Sequence, residues 1–353
     1  MNIYIPDLDF KNTNRKELFI LTRPFFGENK WIELDELKSH WGLISSEFQL
    51  VATIEKATIV LIPLSINHYF STNKKLELEE LNQKCKRNNI KAYGFISGDF
   101  GVIFPDFSNI IYFRLGGFKS QVSNKNFAFP VSVSDHFQRI YKELNPIPNL
   151  KKELPIIGFC GHATLSKVKE IKEIAKCCLE NTKRFLKNPF CKDWETLFAS
   201  AFERASILKS FEKSTVIKTN FIYRKNYRAG AISEDERQKT TLEYYKNIHD
   251  SDYVLCIRGG GNFSVRFYET LLMGKIPVFI NTDCLLPFEN QINWKNHVVW
   301  IEWKNRKNCA KTVSNFHNKL SNEEFVNLQI NNRKLWKEKL SVSGMLKMIE
   351  NDF

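Results

Sequence analysis

The sequence lacks a hydrophobic stretch long enough to cross a membrane. The longest apolar run, ATIVLIPLSI from Ala57, ends after 10 residues and contains a proline, whereas a span needs about 20 residues. The first residues, MNIYIPDLDF, carry two aspartates and no basic segment, so we expect no signal peptide. We therefore expect a cytoplasmic protein, and leave open a peripheral contact with an anionic membrane.

The 8 cysteines lack any CxxC pair. This absence argues against a zinc ribbon, and the scattered positions do not suggest a disulfide scaffold. Reduced and mostly buried thiols are the expectation.

Acidic residues are few relative to basic ones. The chain has 39 Asp and Glu against 52 Lys and Arg, a net charge of +13. Such an excess suits nucleic acid, an anionic membrane surface or anionic small substrates. The lysines are spread over many segments without a dense tail, as on an ordinary solvated surface. The chain also has no RNP, KH or helix-turn-helix pattern, so we expect no nucleic-acid partner.

The length of 353 residues predicts two domains. Strand-like and helix-like patterns alternate, which is typical of parallel sheets flanked by helices. The first half contains NIYIP, a helix around Trp31–Lys38, TIVLIPL, a helix over Lys74–Asn89, KAYGFIS, NIIYFRL and a helix near Asp135. ELNPIPNLKKELP, from Glu143, is the best candidate for a linker.

The alternation begins again after this segment. The patterns are PIIGFCG, helices over Ser166–Leu186 and Trp194–Leu208, the strands YVLCI, IPVFIN and HVVWIE, and a helical tail over Ser321–Met348. We predict an α/β fold with two Rossmann-like, doubly wound domains at residues 1–150 and 151–320, separated by a cleft. We leave open whether the C-terminal helices at 321–353 pack back on the first domain.

Two helices of the second half have clear end signals. Ser233 is followed three residues later by Glu236, which is the spacing of a capping box. The helix SVRFYETLLMG has Ser264 as its expected cap and Gly274 as its stop.

The run RGGGNFSVRFYE places three glycines between a strand and a helix. Backbone amides of Gly259, Gly260 and Gly261 suit an anion at such a place. The spacing matches neither GxGxxG nor GxxxxGK[ST], which disfavours a dinucleotide dehydrogenase and an NTPase.

Arg266 and Glu269 lie three residues apart on this helix, and therefore on one face. An arginine can neutralise a diphosphate, and a carboxylate can accept the hydroxyls of a ribose. An ordinary ion pair on a helix surface explains the spacing equally well.

The run from Asp252 to Trp294 resembles the exostosin-type glycosyltransferases, family 47 of the carbohydrate-enzyme classification. The matching elements, in order, are SDYVLCIRG from Ser251, then Ser264, Arg266, Glu269, GKIPVFIN from Gly274, LPF from Leu286, and Trp294. Upstream, ATIVLIPL, GDFGVIF and PIIGFCGHA resemble family strands, with Gly98 where a His is common. The resemblance is strong from about Thr241 to Trp303.

The resemblance implies a GT-B fold whose second domain holds a nucleotide sugar, with a UDP-sugar favoured. The sugar would move with inversion to a hydroxyl of an oligosaccharide or glycoconjugate acceptor. No Asp-x-Asp motif follows a strand, so we expect no metal and no cofactor. Positive groups must then stabilise the leaving diphosphate.

The expected donor-binding residues are those near the glycine run and at two other strand ends. They are Arg258, Gly259, Gly260, Ser264, Arg266 and Glu269, with His162 in GFCGHA and with Arg224 and Arg228 in YRKNYRAG. A basic surface loop is the alternative for the last two, and a hydrogen-bonded loop histidine for His162.

An inverting transfer also needs a base for the acceptor hydroxyl. Asp99 follows a strand and falls on the acidic position of the family, so it is our candidate. Asp7, Asp9 and Asp135 are rivals, although such residues are more often caps or turn residues.

Other functions remain as alternatives. The Gly-x-x-Pro-Val part of this chain also resembles the α1,3-fucosyltransferases, which use GDP-fucose. Those enzymes, however, have Thr-Glu-Lys where this chain has Arg266, Phe267 and Tyr268. A retaining GT-B enzyme often has two glutamates seven residues apart, and here Ile276 stands seven after Glu269. A protein that binds nucleic acid or glycan without catalysis is the alternative outside enzymes.

Overall fold

The computed structural model describes residues 1–6, 18–25 and 47–352. The predicted helix around Trp31–Lys38 and the residues Asp7 and Asp9 lie outside these ranges. The chain forms two compact units, Met1–Ser134 with Leu285–Phe288 and Glu338–Phe353, and Asp135–Cys284 with Glu289–Lys337. The domain ranges 1–150, 151–320 and 321–353 stay predictions.

The first unit contains a parallel sheet of six strands in the order β2-β1-β3-β4-β5-β6. The strands are β1 (Asn2–Tyr4), β2 (Gln49–Leu50), β3 (Ile59–Ser65), β4 (Ala92–Ile96), β5 (Ile110–Arg114) and β6 (Asn126–Ala128). All seven residues of β3 are buried, because helices cover both faces of a parallel sheet. The helices α1 (Ile66–Ser71) and α2 (Lys75–Arg87) follow β3.

The second unit has a parallel sheet of five strands in the order β11-β10-β9-β7-β8. The strands are β7 (Ile156–His162), β8 (Lys218–Arg224), β9 (Tyr253–Cys256), β10 (Ile276–Asn281) and β11 (Val299–Glu302). Its helices are α3 (His136–Tyr141), α4 (Lys167–Lys187), α5 (Ser200–Glu212), α6 (Glu234–His249), α7 (Val265–Leu272), α8 (Cys309–Lys319) and α9 (Asn322–Leu335). A π-helical turn, Trp336–Leu340, leads to α10 (Val342–Asp352).

The fold class is confirmed, since both sheets are parallel and helices alternate with strands. The cleft between the two domains stays a prediction. Ser233 and Glu236 form the predicted capping box of α6, and Gly274, at φ 66°, follows α7 as the predicted stop.

Two local expectations differ from the structure. The helix predicted over Trp194–Leu208 begins only at Ser200. The reason is that the Asn181 side chain binds both the backbone N–H and the carbonyl of Glu195, at 2.8 Å each, in place of helical hydrogen bonds. Strand β8 was not predicted, although it pairs with β7 over seven residues.

The helices of the second unit bury side chains against its sheet, and the core there is continuous from β7 through β11. Among helices formed by residues 1–6, 18–25 and 47–352, none has the length and apolar character needed to cross a membrane.

Candidate functional site

Arg266 lies in the first turn of α7, next to the carboxyl end of β7. Its Nη2 donates to the carbonyl of Cys160 at 2.9 Å. Its guanidinium lies over the ring of Phe159, 4.3 Å from the centroid, and 5.7 Å from that of Tyr244. Burial lowers the pKa of Arg266, but interactions with Tyr244 and other neighbouring groups outweigh burial. The resulting pKa of Arg266 lies above its ordinary value. The group is therefore a permanent cation held at a strand end.

Gly161 makes the approach of this arginine possible. A Cβ atom at Gly161 would lie 2.9 Å from Nη2 of Arg266, closer than side chains normally approach. The second glycine of PIIGFCG, Gly161, thus has a packing role, because a larger residue there would displace the guanidinium of Arg266.

Arg204, from α5, is a second cation at the same place, and sequence reasoning missed it. Its Nη1 donates to the carbonyl of His162 at 2.6 Å, and its guanidinium lies 5.9 Å from the Phe159 centroid. Burial, and then the charge of Arg266, lower the pKa of Arg204 to about 10. Each arginine makes the charged form of the other less favourable, but both remain charged at neutral pH. The site therefore attracts an anion.

Arg224 adds a third guanidinium at the ends of β7 and β8. It binds the Thr240 carbonyl at 2.7 Å and Glu243 at 2.6 Å, while its own carbonyl is 3.0 Å from Nδ1 of His162. Within the described ranges, the buried Nε atoms of Arg204, Arg224 and Arg266 have no hydrogen-bond partner. The same ranges contain no group of three or more His, Cys, Asp or Glu side chains placed for a metal ion.

Glu269 lies one turn after Arg266 and accepts hydrogen bonds from two tyrosines of α6. Tyr244 donates to Oε2, and Tyr245 donates to Oε1 at 3.0 Å. Burial, and then the Glu269 charge, raise the pKa of both tyrosines far above the ordinary value, so both remain donors. Tyr244 therefore connects the two residues that the sequence places on one helical face.

Removing one of these two tyrosine hydroxyls should lower the stability of the fold. We expect Tyr244→Phe to lower the free energy of unfolding by about 1.5 kcal/mol, because it takes a donor from a half-buried carboxylate. Urea unfolding followed by circular dichroism measures this change. Tyr223→Phe is the matched control, since its hydroxyl binds Glu212 at an exposed place; an equal loss in both variants would contradict the argument.

The glycine run is a turn that is closed by its own backbone. Gly259 N–H donates to the Phe263 carbonyl at 3.2 Å, and Phe263 N–H donates to the Gly261 carbonyl at 2.9 Å. A Cβ atom at Gly259 or Gly260 would meet nothing within 4 Å. Ser264 is the N-cap of α7, as predicted by position, but its side chain makes no capping hydrogen bond. Space is therefore open beside Gly259 and Gly260.

The side chain of Arg258 belongs to another buried network, and its carbonyl accepts from Arg204 Nη2 at 3.4 Å. Its guanidinium donates to Thr196 Oγ1 and to the Gly260 carbonyl, each at 3.0 Å, and it pairs with Glu195 at 3.5 Å. Arg184 pairs with the same Glu195. The structure thus gives Arg258 a role in fixing the glycine turn, and its contact with a donor stays a prediction. Arg228 lies in a 3-10 turn, Tyr227–Gly230.

The candidate bases have different surroundings. Asp99 lies in the first unit, past the end of β4, and is exposed. Gly98 before it has φ 97°, a conformation that a His at this position would adopt only with strain. Asp135 is the N-cap of α3, and both of its oxygens accept from Arg333, at 3.1 and 2.6 Å. Its carboxylate is thus already engaged.

Comparison with known proteins finds a family match over this region. The model of the Exostosin GT47 domain matches residues 193–316. The chain is 36% identical over 69 residues to Exostosin-1 of Drosophila melanogaster, covering 20% of this chain and 9% of that protein. It is 21% identical over 261 residues to Exostosin-1 of Mus musculus, covering 69% of this chain and 30% of that protein.

Other matches are shorter or more distant. A probable β-1,4-xylosyltransferase of Arabidopsis thaliana is 34% identical over 61 residues, covering 17% of this chain and 15% of that protein. The solved structure of S. aureus TarM has a TM-score of 0.36 at 12% identity, over 74% of this chain and 50% of that chain. The chain spans less than a third of each of the curated relatives named here. The predicted resemblance is confirmed: residues 193–316 match the Exostosin GT47 domain, and the chain is exostosin-like through that region.

Proposed function

We propose that this chain is an inverting glycosyltransferase that needs no metal. It moves a sugar from a nucleotide sugar, with a UDP-sugar favoured, to a hydroxyl of an oligosaccharide or glycoconjugate acceptor. The observation that carries the proposal is the pair Arg204 and Arg266, which both lie beside the ring of Phe159. Their guanidinium groups donate to the carbonyls of His162 and Cys160 at the carboxyl end of β7.

The two arginines suit the leaving group of the reaction. When the bond between the anomeric carbon and the diphosphate oxygen breaks, negative charge grows on the diphosphate. Fixed cations aimed at that charge lower the barrier, because they are already oriented before the reaction. Arg204 and Arg266 are held in this way by the carbonyls of His162 and Cys160.

Glu269 suits the ribose of the donor. A carboxylate accepts hydrogen bonds from vicinal hydroxyls, and its oxygens have about four lone-pair positions. Tyr244 and Tyr245 use two of them and hold the carboxylate in place. We infer that the carboxylate held in this way faces the ribose hydroxyls, next to the diphosphate that Arg266 binds.

The acceptor side of the proposal rests on Asp99. Its carboxylate takes the proton of the acceptor hydroxyl while the hydroxyl oxygen attacks the anomeric carbon from the face opposite the diphosphate. One carbon–oxygen bond forms as another breaks, so the configuration inverts. Nucleotide diphosphate and glycosylated acceptor are the products.

A donor screen tests this function. We expect the protein to hydrolyse slowly a UDP-sugar, in preference to GDP- and CMP-sugars, and to do so equally with and without EDTA. Release of nucleotide diphosphate is the readout. Activity with GDP-fucose alone would replace the proposal by a fucosyltransferase, and activity lost in EDTA would overturn the metal-free mechanism. Salt-dependent binding of oligonucleotides, with no binding of any nucleotide sugar, would overturn the enzyme itself.

A further inference from the structure

Helix α4 turns an apolar face outward. Val168, Ile171, Leu179 and Leu186 are each at least 63% exposed. At about 100° per residue these four side chains occupy roughly a quarter of the helix circumference. Surface helices normally bury such a stripe, so its exposure calls for an explanation.

The inward face of α4 is polar instead. Glu173 accepts from the Ala201 N–H at 3.0 Å, Asn181 binds the backbone of Glu195, and the buried Arg184 pairs with Glu180 and Glu195. These contacts fix the rotation of the helix about its axis. The exposed apolar stripe is therefore a consequence of specific polar bonds and cannot simply be turned inward.

A row of lysines runs beside the apolar stripe. Its members share one edge of the helix and are all exposed: Lys169, Lys172, Lys176, Lys183 and Lys187. The glutamates of α4 do not offset this row, because each has a partner. Glu170 pairs with Lys167, while Glu173 and Glu180 make the inward contacts described above. The outward side of α4 is thus apolar along one strip and cationic along the next.

Two further exposed apolar side chains follow α4 in the sequence. Phe190 is 88% exposed and Leu197 is 59% exposed, in the segment that connects α4 to α5. We call the outward side of α4 the α4 face: Val168, Ile171, Leu179 and Leu186, with the lysine row beside them.

We propose that the α4 face binds the surface of an anionic lipid bilayer. A helix with an apolar strip and a lysine edge lies in the plane of the headgroups, with the strip below them and the lysines among the phosphates. Each lysine near such a surface contributes about a fivefold gain in binding. A second copy of this chain fits less well, because an antiparallel symmetric contact would bring two lysine rows together and a parallel one would leave both rows without an anionic partner.

Vesicle sedimentation tests the proposal with the full chain. We expect binding to vesicles that contain phosphatidylglycerol, little binding to vesicles of phosphatidylcholine alone, and release at high salt. Ile171→Ser with Leu179→Ser should weaken binding at least about tenfold, since both lose apolar burial. Lys172→Gln with Lys176→Gln should weaken it about 30-fold.

The chain offers matched controls for both pairs. Leu76→Ser with Ile232→Ser removes two apolar side chains elsewhere that are at least as exposed, and Lys84→Gln with Lys86→Gln removes two exposed lysines of α2. Neither pair should change binding. Equal binding to both vesicle types would overturn the proposal. So would a failure to bind vesicles together with a dimer that Ile171→Ser and Leu179→Ser abolish, since the α4 face would then be a contact between copies.

Discussion

Replacing Arg266 with alanine should greatly weaken the binding of a UDP-sugar in isothermal titration. The guanidinium is the cation of α7 that the carbonyl of Cys160 and the ring of Phe159 hold at the strand end. Its loss leaves the diphosphate with one fewer charged partner in a half-buried place, where such contacts are strongest. We expect the donor affinity and kcat/KM to fall by about 10²- to 10³-fold.

Two further variants separate this effect from damage to the fold. Arg266→Lys keeps the charge and loses the planar fork, so its affinity should lie between those of the wild type and the alanine variant. Arg237→Ala removes an exposed arginine of α6 and should leave the affinity unchanged. If Arg266→Ala bound the donor as the wild type does, while circular dichroism showed an intact fold, the assignment of the site would be wrong.

The parts of the fold that were predictable are those with strong local signals. The capping box of Ser233 and Glu236, the stop at Gly274 and the buried run of β3 are each set by residues within a few positions of one another. Such signals act on the local chain, and tertiary packing strengthens them here. The family motif around Arg266 and Glu269 is local in the same sense, because its members share one strand, turn and helix.

The missed features depend on residues far apart in sequence. Arg204 is an ordinary arginine in a helix until the carbonyl of His162, 42 positions away, is brought next to it. Tyr244 and Tyr245 show their role only when α6 packs beside α7 and their hydroxyls reach Glu269. No local pattern encodes such contacts, since they follow from the order of strands in the sheet.

Irregular segments and edge strands are the other features that the sequence did not predict correctly. Strand β8 has mostly half-exposed or exposed residues, so it lacks the apolar run by which a buried strand is recognised. The segment from Trp194 to Ala199 has the composition of a helix, yet Asn181 holds its backbone in another conformation. In both cases a tertiary partner, β7 or Asn181, decides the local structure.

Replacing Asp99 with asparagine should remove turnover and leave donor binding intact. Asparagine has nearly the same size, so the exposed turn after β4 should fold unchanged, but the amide cannot accept the acceptor proton. We expect transfer to fall by about 10²- to 10⁴-fold, measured with the best donor of the screen and a panel of glycan acceptors, while titration gives an unchanged donor affinity.

Asp106→Asn is the control for this variant, because Asp106 is another exposed carboxylate of the first unit, bound to Ser123 at 2.9 Å. It should transfer sugar at the wild-type rate. Undiminished transfer by Asp99→Asn would move the role of base to Asp7 or Asp9 before Asp135, since Arg333 already occupies both oxygens of Asp135. Loss of donor binding together with turnover would instead make Asp99 part of the donor site. Whether Asp99→Asn loses turnover alone, or donor binding as well, therefore decides whether this carboxylate serves the acceptor or the donor.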